Sequence, residues 1–377
     1  MLVSYAGFVG PSNKLRATVA DNEITRNWFV EPIAPGTGPG GFQGYLKPTP
    51  GIQPFTVLSK GPLRQLWHQN GRTFAVAGNG FYEVFANHTN MLRGLVAVDS
   101  KPASISSNGS AGNQVFVVSG NYGYIFNLST NTLTQIGDSE FPFPCTMGAF
   151  IDGYFLALKG RTNQFQWSAL EDGLTWDGLD VAQLSQTSDF IQSITNVHGQ
   201  LSILGTQTSV VWADTGGSSA FEPIPGSLGM QGSAGAWSAA VLDNTLCWVG
   251  SNEQGHAVVY RMNGYTPQRI STHAVETALQ NCQRLSDVIA WTFQMDGHAF
   301  YCLYIPSADC QWVYDASTSL WFQWSIWNTT TLKFEPWVGR CHTFAFGKHL
   351  VGDRQSGAIY EMDPSIAQSQ LVVMGAA

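Results

Sequence analysis

The sequence predicts an all-β chain wound into a β-propeller of seven blades, with an irregular Pro/Gly-rich N-terminal arm. Three observations carry that expectation. The first is a period: aromatic residues set in apolar runs recur at Tyr82, Tyr124, Trp167, Trp212, Tyr260, Tyr314 and Tyr360, with spacings of 42 to 54 residues. A four-stranded blade occupies about 40–50 residues. The second is a turn 11 to 17 residues ahead of each aromatic: Asn70-Gly71, Gly112-Asn113, Asp152-Gly153, His198-Gly199, Asp243-Asn244, Asp296-Gly297 and Gly347-Lys348. The third is composition. Forty glycines, 12% aromatic residues and only 12% charged residues describe many short strands bounded by turns. A lone blade leaves both faces uncovered, so blades must stack on one another.

Taken in order, residues 1–60 stand apart as a strand and an extended arm. Residues 26–30 read as one strand. Pro32, Pro35, Gly36, Gly38, Pro39, Gly40, Gly41, Gly44, Pro48, Pro50 and Gly51 then interrupt any regular element. The propeller is expected over 61–363, with 364–377 as a tail. Its paired runs are 72–76 with 81–85, 114–118 with 124–128, 154–158 with 164–167, 201–204 with 209–212, 245–249 with 258–261, 299–304 with 311–314, and 349–351 with 358–360. Continuous apolar runs suit strands buried on both faces. One helix is expected at 274–281, between blades five and six. The seventh blade holds three strands of its own, so 54–58 is the expected fourth, which would close the ring and remove its edges. Six blades and one divergent segment is the competing count.

Charge and cysteine usage exclude several classes. A net charge of -8 argues against a protein that grips phosphate backbones with clustered Lys and Arg. Six cysteines, at 145, 247, 282, 302, 310 and 341, show no CxxC and no paired spacing, which reads as scattered core thiols. No stretch is apolar enough to span a bilayer, and the first residues lack the charged start of a secretory leader, so synthesis in a cytoplasm is expected, without a membrane anchor. A surface so poor in charge suits assembly with neighbours, or a Ser/Thr/Asn/Gln-rich monomer.

Few residues are candidates to carry chemistry. Ser168 through Trp176, with Asp172, Gly173 and Thr175, resembles the Asp-box turn of sialidase propellers with one residue inserted, and occurs once. That box is a structural hairpin. Glycosidases need two carboxylates at a set separation, and nothing pairs any two of Glu83, Asp152, Asp214, Asp243, Asp296 and Asp353. Arg161, Arg261 and Arg340 recur at no common blade position. His342 beside Cys341 reads as a strand residue rather than a metal ligand. Residues 36–41 are glycine-rich but lack the Lys-Ser/Thr of a phosphate loop. Trp321, Trp324, Trp327 and Trp337, if exposed, would offer a sugar-stacking or protein-contact surface, although strand packing explains most such residues. No catalytic, cofactor-binding or metal site is expected.

Two stretches near the start, residues 27–31 and 44–52, resemble the N-terminal signature of the packaged-DNA stabilisation proteins of short-tailed phages, also called tail hub, nozzle or head-to-tail adaptor proteins. The likeness continues through 190–194, 208–212, 231–235, 271–276, 313–317 with Trp321, and 352–360. The resemblance implies a non-enzymatic virion part, made in the bacterial host cytoplasm. It would be one of six protomers in a ring below the portal and adaptor rings, with a tail needle, fibre or tailspike below. Such a ring continues the DNA channel, lets double-stranded DNA pass without a sequence-specific grip, and retains the packaged genome until ejection. Members of that family often continue into another β-rich region, of which 364–377 would be the start, and there this sequence departs from the pattern. On this reading the arm reaches a neighbouring subunit or the adaptor, and acids outnumber bases on the wall facing DNA. A carbohydrate-binding or glycoside-cleaving propeller, and a monomeric kelch-like interaction module, are the alternatives.

Overall fold

A computed structural model describes residues 11–14, 22–32, 44–184, 189–217, 220–252, 255–366 and 368–372. Seven antiparallel sheets follow one another along the chain. Blade one runs from Leu63–Gln69 to Asn90–Leu95, blade two from Ser104–Ser107 to Thr132–Gln135, and blade three from Cys145–Ile151 to Asp172–Gln183. Blade four runs from Ile191–Val197 to Phe221–Pro223, blade five from Gly232–Ser233 to Thr266–Arg269, and blade six from Ile289–Met295 to Leu320–Gln323. Blade seven takes Gly339–Ala345, Lys348–Asp353 and Ala358–Asp363 from the end of the chain and Gly51–Val57 from near its start. Ala358 pairs with Val57 and Asp363 with Gly51, so both ends of the propeller share one sheet. The count is seven rather than six, and the closing strand covers most of the expected 54–58. Residues 51–57, read within the arm, therefore belong to the propeller.

Packing explains why the blades cannot stand alone. Seven apolar clusters occupy the seven gaps between neighbouring blades. Phe74 and Phe81 of blade one meet Phe126 of blade two. Phe116 meets Phe155 across the next gap, and Phe165 of blade three meets Trp212 of blade four. The series ends with Leu63 and Tyr82 against Cys341 and Ile359, between blades one and seven. Each large side chain buried in this way contributes about 1.5–3 kcal/mol. Both faces of a middle strand are covered, which is why its apolar residues do not alternate with polar ones.

The periodic aromatics share one structural place. Each lies on the third strand of its blade, opposite a second-strand residue: Tyr82 opposite Ala75, Tyr124 opposite Val117, Trp167 opposite Leu156 and Trp212 opposite Leu201. Tyr260, Tyr314 and Tyr360 lie opposite Trp248, Tyr301 and Val351. Some of their hydroxyls reach the linker from the preceding blade. The Tyr82 hydroxyl is 2.9 Å from Ser59 Oγ, and that of Tyr124 accepts a 2.9 Å bond from Ala97 N. A ring with an apolar body and a polar tip suits that position.

Five of the expected turns hold two successive residues at positive φ between the first and second strands, for example Asn70 (52°) with Gly71 (76°). This backbone matches the twist of a tight hairpin. In blade seven the pair is Phe346 and Gly347, one residue earlier than expected. Blade two differs, because a short helical turn, Gly109–Gly112, ends in left-handed Asn113. The longest aromatic spacing contains helix His273–Gln280, which lies between blades five and six. A hairpin of Ser325–Asn328 and Lys333–Pro336 is inserted between blades six and seven.

The described part of the arm lies on its own propeller. Trp28–Pro32 pairs with Gly44–Pro48, and Phe29 and Val30 are buried in the gap between blades six and seven. Asn27 N donates to Gln323 O, and the Asn27 side chain makes two bonds to the Ser325 backbone. The successive apolar residues Phe29 and Val30 supply this burial, so this pair is not free to span to a neighbour. Residues 33–43, including the glycine-rich run, lie outside the described residues, as do 373–377 of the tail.

Candidate functional site

Successive turns of an up-and-down blade alternate between the two ends of the sheet. The turns joining strands one to two and three to four therefore share one propeller face. Asp152, Asp243 and Asp296 occupy the first kind of turn and Glu171 and Asp214 the second, on blades three to six. Two are ion-paired: Asp243 with Arg261 at 3.2 Å and Asp296 with Lys47 at 2.7 Å. Of the six acids singled out in the sequence, four thus share a face, but on four different blades. The other two are internal. Glu83 accepts bonds from Arg72 and Arg93 at 2.6–2.8 Å. Burial raises its pKa, but the two guanidiniums outweigh that and hold the carboxyl below its ordinary value. Asp353 accepts from Ser356 Oγ at 2.6 Å and from Gln355 N, closing a turn.

The Asp-box-like segment is a hairpin between the third and fourth strands of blade three. Asp172 accepts from Leu174 N, Thr175 Oγ1 and Gln114 Nε2, and the buried Trp176 indole donates to Gly173 O at 2.9 Å. It joins blade two to blade three. Three of the four tryptophans named as a contact surface are core residues: Trp321, Trp324 and Trp337 are at most 3% exposed. Their apolar area fills the gaps flanking blade six. Trp327 is half exposed, on the inserted hairpin, beside Phe334.

His342 lies on the first strand of blade seven with Nε2 3.1 Å from His349 Nδ1. Burial pulls its pKa down to about 3, so the ring is neutral at ordinary pH. Among the described residues no three His, Cys, Asp or Glu side chains converge as a metal site. Burial pushes the thiols of Cys145, Cys247, Cys310 and Cys341 up to about 12, so none of these four is a thiolate nucleophile.

The axis of the propeller was not singled out in the sequence. The first strands of the blades surround a cavity of about 170 Å³, room for about six waters. Arg64 and Arg340 line it, each the second residue of a first strand, in the adjacent blades one and seven. Both sit at a break in strand register, between Leu63 and Gln65 and between Gly339 and Cys341. The same break falls at Thr146 in blade three and Gln192 in blade four. Such bulges re-aim the extra side chain. The polar second residues 64, 146, 192 and 340 are the sequence trace of this feature. A duplex cannot enter a cavity of this size, so any DNA path runs outside the single propeller.

A family described as bacteriophage P22 Gp10, β-propeller, matches residues 30–367. This chain belongs to that phage-stabilisation family. It is a phage structural propeller, and the family places it in the virion. None of the curated proteins matches it. Among solved structures, this phage-stabilisation propeller is similar in fold to virginiamycin B lyase from Staphylococcus aureus, at 10% identity and a TM-score of 0.54, covering 83% of this chain and 98% of that one. It is also similar to the extracellular domain of the one-component system BT4673 from B. thetaiotaomicron, at 8% identity and a TM-score of 0.53, covering 83% of this chain. There it spans 40% of the longer protein. At such identities the likeness concerns the fold alone. Among the described residues, no helix of the phage-stabilisation propeller is long and apolar enough to cross a membrane.

Proposed function

We propose that this propeller is a protomer of the tail hub or nozzle ring of a short-tailed phage, a structural part without enzymatic activity. The ring sits below the portal and adaptor, continues the DNA channel and retains the packaged genome until ejection. The family match across residues 30–367 carries this reading. The closed axis supports it: the single propeller has no passage for DNA, so a channel needs several copies around a shared space. Apolar side chains lie exposed on nearly opposite flanks. Leu174, Leu179 and Val181 stand on the outer strand of blade three. Trp327, Leu332 and Phe334 stand beside blade six, with Trp28 and Tyr45 of the arm hairpin. Ring contacts are head to tail and need two different, complementary patches.

Six copies are proposed, with an acid-rich wall toward DNA, where carboxylates repel phosphates and prevent a grip. A needle, fibre or tailspike would dock below. The test is a particle assembled without this chain. Packaged DNA in such particles should become nuclease-sensitive and leak, while addition of the purified protein restores retention. Full retention without the protein would overturn the reading.

A further inference from the structure

We propose that the axial cavity is a binding site for one small tetrahedral oxyanion, phosphate or sulfate in kind, held between Arg64 and Arg340. Both arginines are buried, at 1% and 7% exposure, and neither forms an ion pair among the described residues. Their hydrogen bonds are to neutral groups. Arg64 Nε donates to Lys101 O at 2.6 Å, and Nη1 donates to Gly78 O at 2.9 Å, Ser119 Oγ at 2.8 Å and Ala97 O at 3.5 Å. Arg340 Nη2 donates to Ser100 O. Arg64 Nη2 and Arg340 Nε are buried without a partner, and so is the indole Nε1 of Trp291, which lines the same cavity. No carboxylate lines it.

Two cations and three unused donors around one narrow space are costly to bury unless countered. An oxyanion supplies what is missing, because its oxygens accept several donors at once and its charge balances the guanidiniums. Burial pulls the Arg64 guanidinium down to about 10, with Asp99 opposing and Arg340 adding to the fall, so the group stays charged at neutral pH. The route in is basic on balance. A wider funnel of about 500 Å³ shares Pro102, Met147 and Trp237 with the cavity, and Lys101 and Arg161 line it against a single acid, Asp99. The bulges at 64 and 340 turn these side chains inward, and strand packing alone does not require an arginine there.

The test is thermal unfolding of the full chain in inorganic phosphate, or in sulfate, against chloride at equal ionic strength. Phosphorus NMR of free phosphate is followed in parallel. Expected is a saturable rise of a few degrees, about what a ligand at a hundred times its Kd gives, with broadening of the phosphate line. Because Arg64 also ties backbone carbonyls together, Arg340→Met is the variant, and it should remove both signals. A rise that is linear in salt and equal in the variant is ordinary exclusion of these salts and would overturn the proposal. So would an unbroadened phosphate line with the unaltered protein, a result that needs no variant to fold.

Discussion

His298 Nε2 stands 3.1 Å from Glu31 Oε2, so an imidazole buried in blade six holds the arm hairpin across 267 residues of sequence. Its Nδ1 faces Asp315 Oδ2 at 2.8 Å, and Lys47 bridges Glu31 and Asp296 nearby. The bond to Asp315 raises the His298 pKa, burial opposes it, and Glu31 adds to the rise. The stabilisation this ring supplies is therefore complete below about 6.5, the ordinary histidine value, and fades as pH rises through the higher folded value. Amide exchange at Val30, corrected for its intrinsic pH dependence, should quicken severalfold above that value. His298→Asn should flatten the profile, and identical profiles in the two proteins would remove this role.

Closure rests on Gly51–Val57. Ile52, fully buried against blades six and seven, should lose about 2–5 kcal/mol on change to alanine. Urea unfolding is the measurement. One cooperative transition with an unaltered slope is expected, because every blade is braced by two others.

Glu83 is the shared acceptor for Arg72 and Arg93. Glu83→Gln leaves two guanidiniums without their counter-charge and should cost about 3 kcal/mol. Because its folded pKa is depressed, this contribution is present above about 4.3, the ordinary glutamate value, and is lost as pH falls through the lower folded value. Acid titration of the two proteins should therefore converge at low pH.

Asp172→Ala should lower stability by about 1–3 kcal/mol through the lost turn and the contact with Gln114. Neither protein should turn over a fluorogenic glycoside panel. Cleavage by the unaltered chain, abolished in the variant, would revive the sialidase-like reading.

Leu179, 87% exposed on blade three, should matter little to the single propeller. Leu179→Asp should leave the unfolding temperature within about a degree, as surface changes do, yet weaken ring formation seen by light scattering. Unchanged assembly would place the contact elsewhere.

The blades were legible because burial between neighbouring sheets demands long apolar runs, and tight hairpins demand residues that accept positive φ. Tyr82 through Tyr360 and turns such as Asp296-Gly297 express both demands locally. The arm was read less well. Its prolines and glycines are visible in sequence, but the burial of Phe29 and Val30 depends on a gap formed by strands almost three hundred residues away. Trp321, Trp324 and Trp337 posed the same difficulty, since an aromatic at a blade edge looks alike whether a neighbour covers it or not.

By itself, then, the order of residues determined the all-β class and the blade period, because tight hairpins and apolar runs are short-range, and it marked 54–58 as the closing strand because the seventh blade holds only three strands of its own. Which buried charges meet was decided only in three dimensions. Arg64 and Arg340 lie far apart along the chain and become neighbours through closure, when blade seven is set against blade one and a bulge in each first strand turns a guanidinium toward the axis.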